Sequence, residues 1–446
     1  VEDLAVVKAE DLIVETLGSC ELDSPIADLL EERWGKGPDF GEEDRMLFDD
    51  TVGGVHTAKE EAGLIRSFER AGPRRKIFFE PGRTRAGIVT CGGLCPGLND
   101  VIRGLVMVLW HRYGVKQIDG FRYGYEGLTP AYGHAVTALR PEVVRHIHED
   151  GGTILGSSRG PQDPAVMVDF LRSRGVDVLF VIGGDGTLRG GLAISQEAKR
   201  RGMKLSVVGV PKTIDNDVMF VEQSFGFQTA FSQAVNAIRA AHTEALGAMN
   251  GVGLVKLMGR HSGFIACFAA VACNDVNYVL IPEVPFALEG RGSFLESLKE
   301  RLKLRGHAVV VVAEGAGQDY CNGKGTDASG NAKLGDVGSF LKERIGAYLK
   351  EQGIDSTVKY IDPSYIIRSV PTIPSDSVYC FRLAEYAVHG AMAGKTEMVV
   401  GRWHNRFVYI PIEVAIRERQ RVDPKGDLWM TVLEATGQPR WATGRE

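Results

Sequence analysis

Two doubly wound α/β lobes, each built on a mostly parallel sheet and preceded by an N-terminal extension, are the architecture this sequence predicts. Three observations carry the prediction. The chain has 446 residues, beyond the size at which one hydrophobic core keeps growing, so two domains are expected. Short apolar runs alternate with stretches whose apolar residues recur at helical spacing. Those runs are nearly continuously apolar, as strands of a parallel sheet are when helices cover both faces.

Residues 1–82 stand apart. They are acidic in patches ("EDLIVE", "LLEERWGKGPDFGEEDR") and lack the strand–helix rhythm, so they read as an extension suited to packing on a neighbour or to regulation. From Arg83 the rhythm is clear: "AGIVT" is a strand, "CGGLCPG" a loop, and Leu98, Val101, Ile102, Leu105, Val106 and Leu109 mark a helix. Pro96 sits just before that helix, where its missing N–H is harmless. The unit repeats as "VDVLFVI", "GGDGTLRGG" and a helix ending in "EAKRRG", whose basic residues and glycine suit a C-terminus. "KLSVVGVP" is the next strand, and it leads into "KTIDNDV". After a helix through "TAFSQAVNAIRAAHTEAL", the runs "GVGLVKLMG", "VNYVLIP", "HAVVVVAEG" and "TVKYID" form a second series. The expected lobes are 83–226, completed by about 368–446, and 227–367. Both are Rossmann-like, and in such folds ligands bind at the carboxyl ends of the strands.

Composition narrows the function. Hydrophobic content of 44%, charged content of 24% and a net charge of -5 describe an ordinary globular protein with no electrostatic footprint for nucleic acid. No apolar run is long enough to span a bilayer, and the first residues as given show no signal peptide, so no membrane association is expected. Seven scattered cysteines point to reduced thiols, hence to the cytoplasm or a reduced organelle such as a glycosome or plastid. Cys91 and Cys95 have no second Cys/His pair at metal spacing and read as small buried residues.

The chemistry lies in the loops. "TCGGLCPGLND" offers backbone N–H groups and a helix start to phosphate oxygens. "GGDGT" adds Asp185, a hard oxygen ligand for Mg²⁺, and the Thr187 hydroxyl at a helix start; the Walker pattern is absent. Phosphoryl transfer also needs positive charge at the transferring group and a base for the acceptor. "LGSSRGPQD" supplies Arg159, "LMGRHSG" Arg260, "AEGAGQD" Glu314, and "KYIDPSYIIR" Lys359, Tyr365 and Arg368. "PKTIDND" supplies two carboxylates, Asp215 and Asp217.

Taken together, "GIVTCGGLCPGLNDVIRG", "GGTILGSSRGP", "IGGDGT", "PKTIDND", "KLMGR", "AEG" and "YIIR" occur in the order seen in 6-phosphofructokinases, over roughly Ala86 to Met398. The chain most resembles the long-type ATP-dependent enzymes of plants and trypanosomatids, which lie near the pyrophosphate-dependent branch. The resemblance implies that Asp215 is the general base for the C1 hydroxyl of fructose 6-phosphate, with Thr213 beside that hydroxyl and Asp217 in support. It implies that Gly93 and Arg159 meet the transferring phosphoryl and that Asp185 holds Mg²⁺. Tyr125, Gly160, Gly184, Gly186, Thr187, Ser329 and Asn331 would surround ATP. Ile214, Met258, Gly259, Arg260 and Glu314 would bind the sugar, while Lys359, Tyr365 and Arg368 would clamp the 6-phosphate. Residues 83–226 become the donor lobe, 227–367 the sugar-phosphate lobe, and the protein an oligomer, a tetramer by family.

Departures from the short bacterial enzymes fall in the clamp. Gly251 stands where an arginine is expected, Lys359 replaces another arginine, and Tyr365 replaces a histidine. Arginine grips phosphate bidentately and lysine only as a point charge. The effector site of the bacterial enzymes does not map.

The donor turns on two residues. Pyrophosphate-dependent relatives usually carry aspartate where Gly186 stands and lysine where Lys212 stands. A carboxylate at 186 would crowd and repel the α-phosphate of ATP, by roughly 4 kcal/mol for unit charges about 4 Å apart at intermediate dielectric. Gly186 therefore favours ATP, while Lys212 alone points towards pyrophosphate, which remains the alternative donor. Other kinases that share "GGDGT", such as NAD and lipid kinases, lack the remaining motifs. A non-catalytic sugar-phosphate sensor is disfavoured because Asp185, Asp215, Arg159 and Arg260 are all present.

Overall fold

The six residues Val178–Gly183 are all buried, which a single strand achieves only when it lies inside a sheet covered on both faces. The computed structural model, which describes residues 7–34, 44–54, 65–321, 325 and 333–440, builds two sheets of this kind and one short strand pair. Its strands are β1 (Leu22–Asp23), β2 (Arg45–Leu47), β3 (Ser67–Arg70), β4 (Lys76–Ile77), β5 (Arg85–Thr90), β6 (Gln117–Phe121), β7 (Val136–Ala138) and β8 (Val178–Gly183). They continue as β9 (Ser206–Pro211), β10 (Gly251–Leu257), β11 (Tyr278–Leu280), β12 (His307–Ala313), β13 (Thr357–Ile361), β14 (Met398–Trp403) and β15 (Arg406–Pro411).

The chain divides into two units. The first comprises 1–213, 218–226 and 370–419; the second comprises 214–217, 227–369 and 420–446. In the first, the sheet order is β2-β3-β15-β14-β9-β8-β5-β6-β7. Its centre, β14-β9-β8-β5-β6, is parallel, and its margins are antiparallel. The chain runs from β5 outward to β6, then returns to lay β8 on the other side of β5. That reversal is the topological switch at which doubly wound folds bind ligands.

The second unit is a parallel sheet in the order β11-β12-β10-β13. Alternate residues of β12 enter different cores. Val309, Val311 and Ala313 pack with the helices Phe227–Leu246 and Phe264–Cys273, whereas Ala308, Val310 and Val312 pack with Phe294–Arg305 and Val337–Glu351. A period of two on a strand covered by helices on each face requires this arrangement. It also explains why "HAVVVVA" shows no alternation in its sequence.

Two expectations about the chain's organisation are corrected. The extension expected before residue 83 is not wholly separate from the first unit, because β2 and β3 extend the large sheet through β15. Phe48, Phe68, Phe220 and Trp403 cluster there, mostly edge-to-face or tilted, with ring centroids 5.3–5.9 Å apart. Nor do all of residues 368–446 complete the donor lobe. The helix Asp427–Thr436 buries Trp429 and Val432 in the second unit's core, so from Gln420 onward the chain is counted there.

One buried ion triad ties β3 to the rest of the first unit. Glu69 is 2% exposed and receives Arg74 at 2.9 Å on one oxygen and Lys395 at 2.9 Å on the other. Removing the shared anion leaves two buried cations, and breaking such a set costs about 3–5 kcal/mol. Glu69→Ala is therefore expected to lower unfolding stability by about that much, measured as the shift in urea midpoint at unchanged slope.

Candidate active site

The loops that follow β5, β8 and β9 leave one edge of the sheet together, because these strands are neighbours and parallel. The ladder continues past the strand ends: the Cys91 amide donates to the Ile182 carbonyl at 3.0 Å, and the Lys212 amide to that of Gly183 at 2.9 Å. The loop at 157–159 closes against the first of these, with Gly92 N–H donating to Ser158 at 3.0 Å and Ser157 Oγ donating to Gly92 at 2.6 Å. Gly92 has φ +85°, where side chains are strained. A Cβ on Gly92 would lie 3.6 Å from Lys212 Nζ, and one on Gly93 would lie 3.4 Å from Arg159 Nη2. A buried ammonium and an exposed guanidinium thus flank two adjacent glycines. Such a cradle admits a phosphate close to backbone and supplies its counter-charge.

After β8, Gly184 caps the helix Asp185–Arg200, so Asp185 occupies its first turn. Thr187 is buried and packs so tightly beneath Gly183 that a Cβ there would come within 2.1 Å of its hydroxyl. At Gly186 no atom lies within 4 Å of a Cβ position, so the helix start is open. The Asp185 carboxylate receives Arg419 at 2.7 Å. Gly160, at φ +101°, is likewise open. Tyr125 differs from expectation. Its ring lies in the hydrophobic core at 5% exposure and its hydroxyl donates to the Thr187 carbonyl at 2.5 Å, so it supports the helix start from beneath and offers no face to a ligand.

In the second unit, β10, β12 and β13 end side by side. The loops are again sewn together: the Glu314 amide donates to Leu257 at 2.9 Å and that of Gly315 to Gly259 at 3.0 Å. Gly259 has φ +129°, and a Cβ there would strike the Ser262 carbonyl at 2.4 Å. The Met258 side chain packs into the core, which leaves its backbone as the part that can meet a ligand. Asp215 sits in a turn beside this loop. Its Oδ2 accepts from the Arg260 amide at 3.4 Å, and its carbonyl accepts from Ser262 Oγ at 3.2 Å. Ile214 leans on the same core, Asn216 takes a left-handed φ of 57°, and Asp217, which is buried, accepts from the Gln420 amide at 2.9 Å through its carbonyl.

The expected phosphate clamp is only partly assembled. Arg368 stacks over the exposed Tyr365 ring at 4.4 Å. Lys359 pairs with Glu244 at 3.3 Å. Gly251 admits no side chain, since a Cβ would come within 2.1 Å of the Ala245 carbonyl. That close approach of the preceding helix gives a physical reason for the missing arginine. Ser329 and Asn331 lie outside the described residues.

A Phosphofructokinase family model matches residues 85–391, and this stretch holds every loop described above except the segment around Arg419. The chain belongs to the phosphofructokinase family. It is 55% identical over 438 residues to the ATP-dependent 6-phosphofructokinase of Amycolatopsis methanolica, covering 96% of this chain and 95% of that one. It is 52% identical over 372 residues to the Trypanosoma brucei brucei ATP-dependent 6-phosphofructokinase (82% and 76% covered) and 46% over 421 residues to Arabidopsis thaliana ATP-dependent 6-phosphofructokinase 7 (94% and 84%). Among solved structures, a pyrophosphate-dependent phosphofructokinase from Marinobacter aquaeolei superposes with TM-score 0.65 at 19% identity, covering 80% of this chain and 92% of that one. The Pichia pastoris phosphofructokinase gives 0.62 at 24% identity over 76% of this chain, which spans 36% of that longer one. At such identities these two speak for the shared fold.

Membership of the family implies a divalent metal cofactor. Among the described residues no group of three or more His, Cys, Asp or Glu is placed to hold an ion. A lone carboxylate on a glycine-rich helix start does fit a hard cation that brings phosphate oxygens as its remaining ligands.

Several functional neighbours were invisible in the sequence. Lys256, two residues before Met258, pairs with Asp362 at 2.7 Å and Asp336 at 3.7 Å. Burial opposes its charge, but the Asp362 hydrogen bond, with Tyr360 and Asp336 nearby, outweighs that and holds the ammonium above its ordinary range. Arg419 and Gln420 come from a stretch of alternating charges that reads as solvated surface. Only their distant partners mark them.

Glu314 is partly buried, and burial raises its carboxyl above the usual range, against the pull of Arg260 and Lys256. A raised folded pKa contributes stability that is present below the unfolded value and lost as pH rises through the folded one. Glu314→Gln should therefore gain on the wild type as pH rises from about 4 to 7.5. Urea midpoints of both proteins at the two pH values test this, and a gap that moves the other way refutes it.

Proposed function

We propose that this chain is an ATP-dependent 6-phosphofructokinase that transfers the γ-phosphoryl of MgATP to the C1 hydroxyl of fructose 6-phosphate, giving fructose 1,6-bisphosphate in glycolysis. The observation that carries the reading is the near full-length similarity to enzymes named for this activity, at 55% identity over 438 residues. In the reaction, the C1 oxygen attacks the γ-phosphorus, the bond to the β-phosphate oxygen breaks, ADP leaves, and the hydroxyl proton passes to Asp215.

Each part has support in the chain. Asp215 is held by the Arg260 amide and Ser262, which fixes the carboxylate that receives the proton. Thr213, two residues earlier, is fixed through its carbonyl by Ser224 Oγ at 2.5 Å. Asp217, buried one turn further, supports the segment. Arg159 and Lys212, at the Gly92–Gly93 loop, would neutralise charge on the transferring group. Mg²⁺, held through Asp185 and the donor phosphates, would supply further charge neutralisation. Ile214, Met258, Gly259, Arg260 and Glu314 would bind the sugar, and Arg368 with Tyr365 and Lys359 its 6-phosphate. The active form is a homo-oligomer, a tetramer by family resemblance. The seven cysteines, all free, suit a reduced compartment such as the cytoplasm or a reduced organelle.

The donor assignment rests on Gly186. Pyrophosphate is the second reading, favoured by Lys212 alone, and the open space at Gly186 outweighs it because an α-phosphate needs that space. Supplying each donor separately with Mg²⁺ and fructose 6-phosphate tests this; turnover with pyrophosphate in place of ATP would sink the ATP reading. Gly186→Asp should abolish ATP use while leaving the unfolding midpoint unchanged, since the new side chain meets no protein atom within 4 Å at its Cβ. Asp215→Asn should slow turnover by about 10²–10⁴-fold, the usual worth of a positioned base, and wild-type turnover would remove the assignment.

A further inference from the structure

The Asp185 carboxylate already has a cationic partner. Arg419 Nη2 lies 2.7 Å from its Oδ2, and the two side chains are 32% and 20% exposed, so the pair is largely shielded from water. Arginine 419 is placed there by its backbone. It forms an antiparallel bridge with Val218, while the next residue, Gln420, donates its amide to Asp217 at 2.9 Å and its side-chain amide to the Asn216 carbonyl at 3.4 Å. The bridge to Val218, within the first unit, thus aims the guanidinium at Asp185.

A divalent cation held by this carboxylate would compete for the oxygen that Arg419 now holds. A guanidinium nitrogen at hydrogen-bond distance from the same oxygen would face it at close quarters as a second positive group. The guanidinium cannot shed its charge, since arginine stays protonated in proteins. One cation must yield.

We propose that Arg419 is the resting counter-ion of Asp185 and competes with the metal, so that the nucleotide-free protein disfavours free divalent cation and takes the metal together with its polyphosphate. The phosphates change the balance because they bring negative charge. The displaced guanidinium, with five donors in a planar fork, then has oxygens to pair with. Arg419 is on this account a positioning residue for metal and donor. The proposal rests on the reading of Asp185 as the metal ligand, and its test separates the two.

The experiment titrates Mn²⁺ into full-length protein without nucleotide and reads free Mn²⁺ by electron paramagnetic resonance. Arg419→Gln and Arg419→Met, both lacking the charge, should bind Mn²⁺ about tenfold more tightly than wild type, a change worth about 1.4 kcal/mol. Arg419→Lys, which keeps a cation, should stay within about twofold of wild type. Both neutral variants binding Mn²⁺ as weakly as wild type would overturn the counter-ion role. Adding Asp185→Asn to Arg419→Gln should abolish the gain. If that double variant keeps the tighter binding, the assignment of Asp185 as metal ligand fails, and the proposal with it.

Discussion

The hydrogen bond from the Lys212 amide to the Gly183 carbonyl, 2.9 Å long, embodies the constraint on which the functional loops depend. A parallel strand buried on both faces ends with peptide groups that still need partners, and water is excluded around its last residues. The chain meets the requirement by letting the ladder run one residue beyond each strand. Cys91 does so onto β8, and Glu314 onto β10. The loops are thereby registered to the sheet before any side chain is considered. Glycine at 92 and 315 follows from that registration, since a Cβ would lie 3.6 Å from Lys212 Nζ at the first and 2.0 Å from the Arg260 carbonyl of the neighbouring loop at the second.

Charge is then distributed on this frame in two ways. Lys212 and Arg159 both reach the Gly92–Gly93 loop, which suits an anionic ligand. Elsewhere cations are matched by carboxylates: Lys256 with Asp362, and Arg419 with Asp185. A matched pair near a site is a reserve, because an incoming ion can replace one member without leaving the other bare. The triad of Glu69, Arg74 and Lys395 is different. It is buried deeply and joins β3 to the body of the first unit.

Asp215 illustrates how little of a side chain's environment lies beside it in sequence. Its neighbours Thr213 and Asp217 come with the motif, but the groups that hold it, Arg260 and Ser262, come from the loop after β10. Glu283 extends the arrangement. One of its oxygens accepts from Gly263 at 2.9 Å and Val422 at 2.8 Å, joining the loop that holds Asp215 to the C-terminal strap. Burial raises its carboxyl above the ordinary range despite those two amides.

Local sequence determined the strands, the loops and the chemical character of the site. Short apolar runs rich in β-branched residues and bounded by glycine suit covered parallel strands, and the glycine–aspartate loops after them suit phosphate oxygens. Tertiary structure decided the rest, because partnership depends on distances across the chain. It turned Tyr125 inward, since a strand–helix junction needed filling beneath Thr187. It drew the chain from Gln420 onward into the second unit, where Trp429 and Val432 find a core that no periodicity could name. It closed Gly251 to any side chain through the approach of a helix. And it set Arg419, anonymous among alternating charges, on the carboxylate of Asp185, an encounter between residues 234 positions apart in sequence that only folding brings within 2.7 Å.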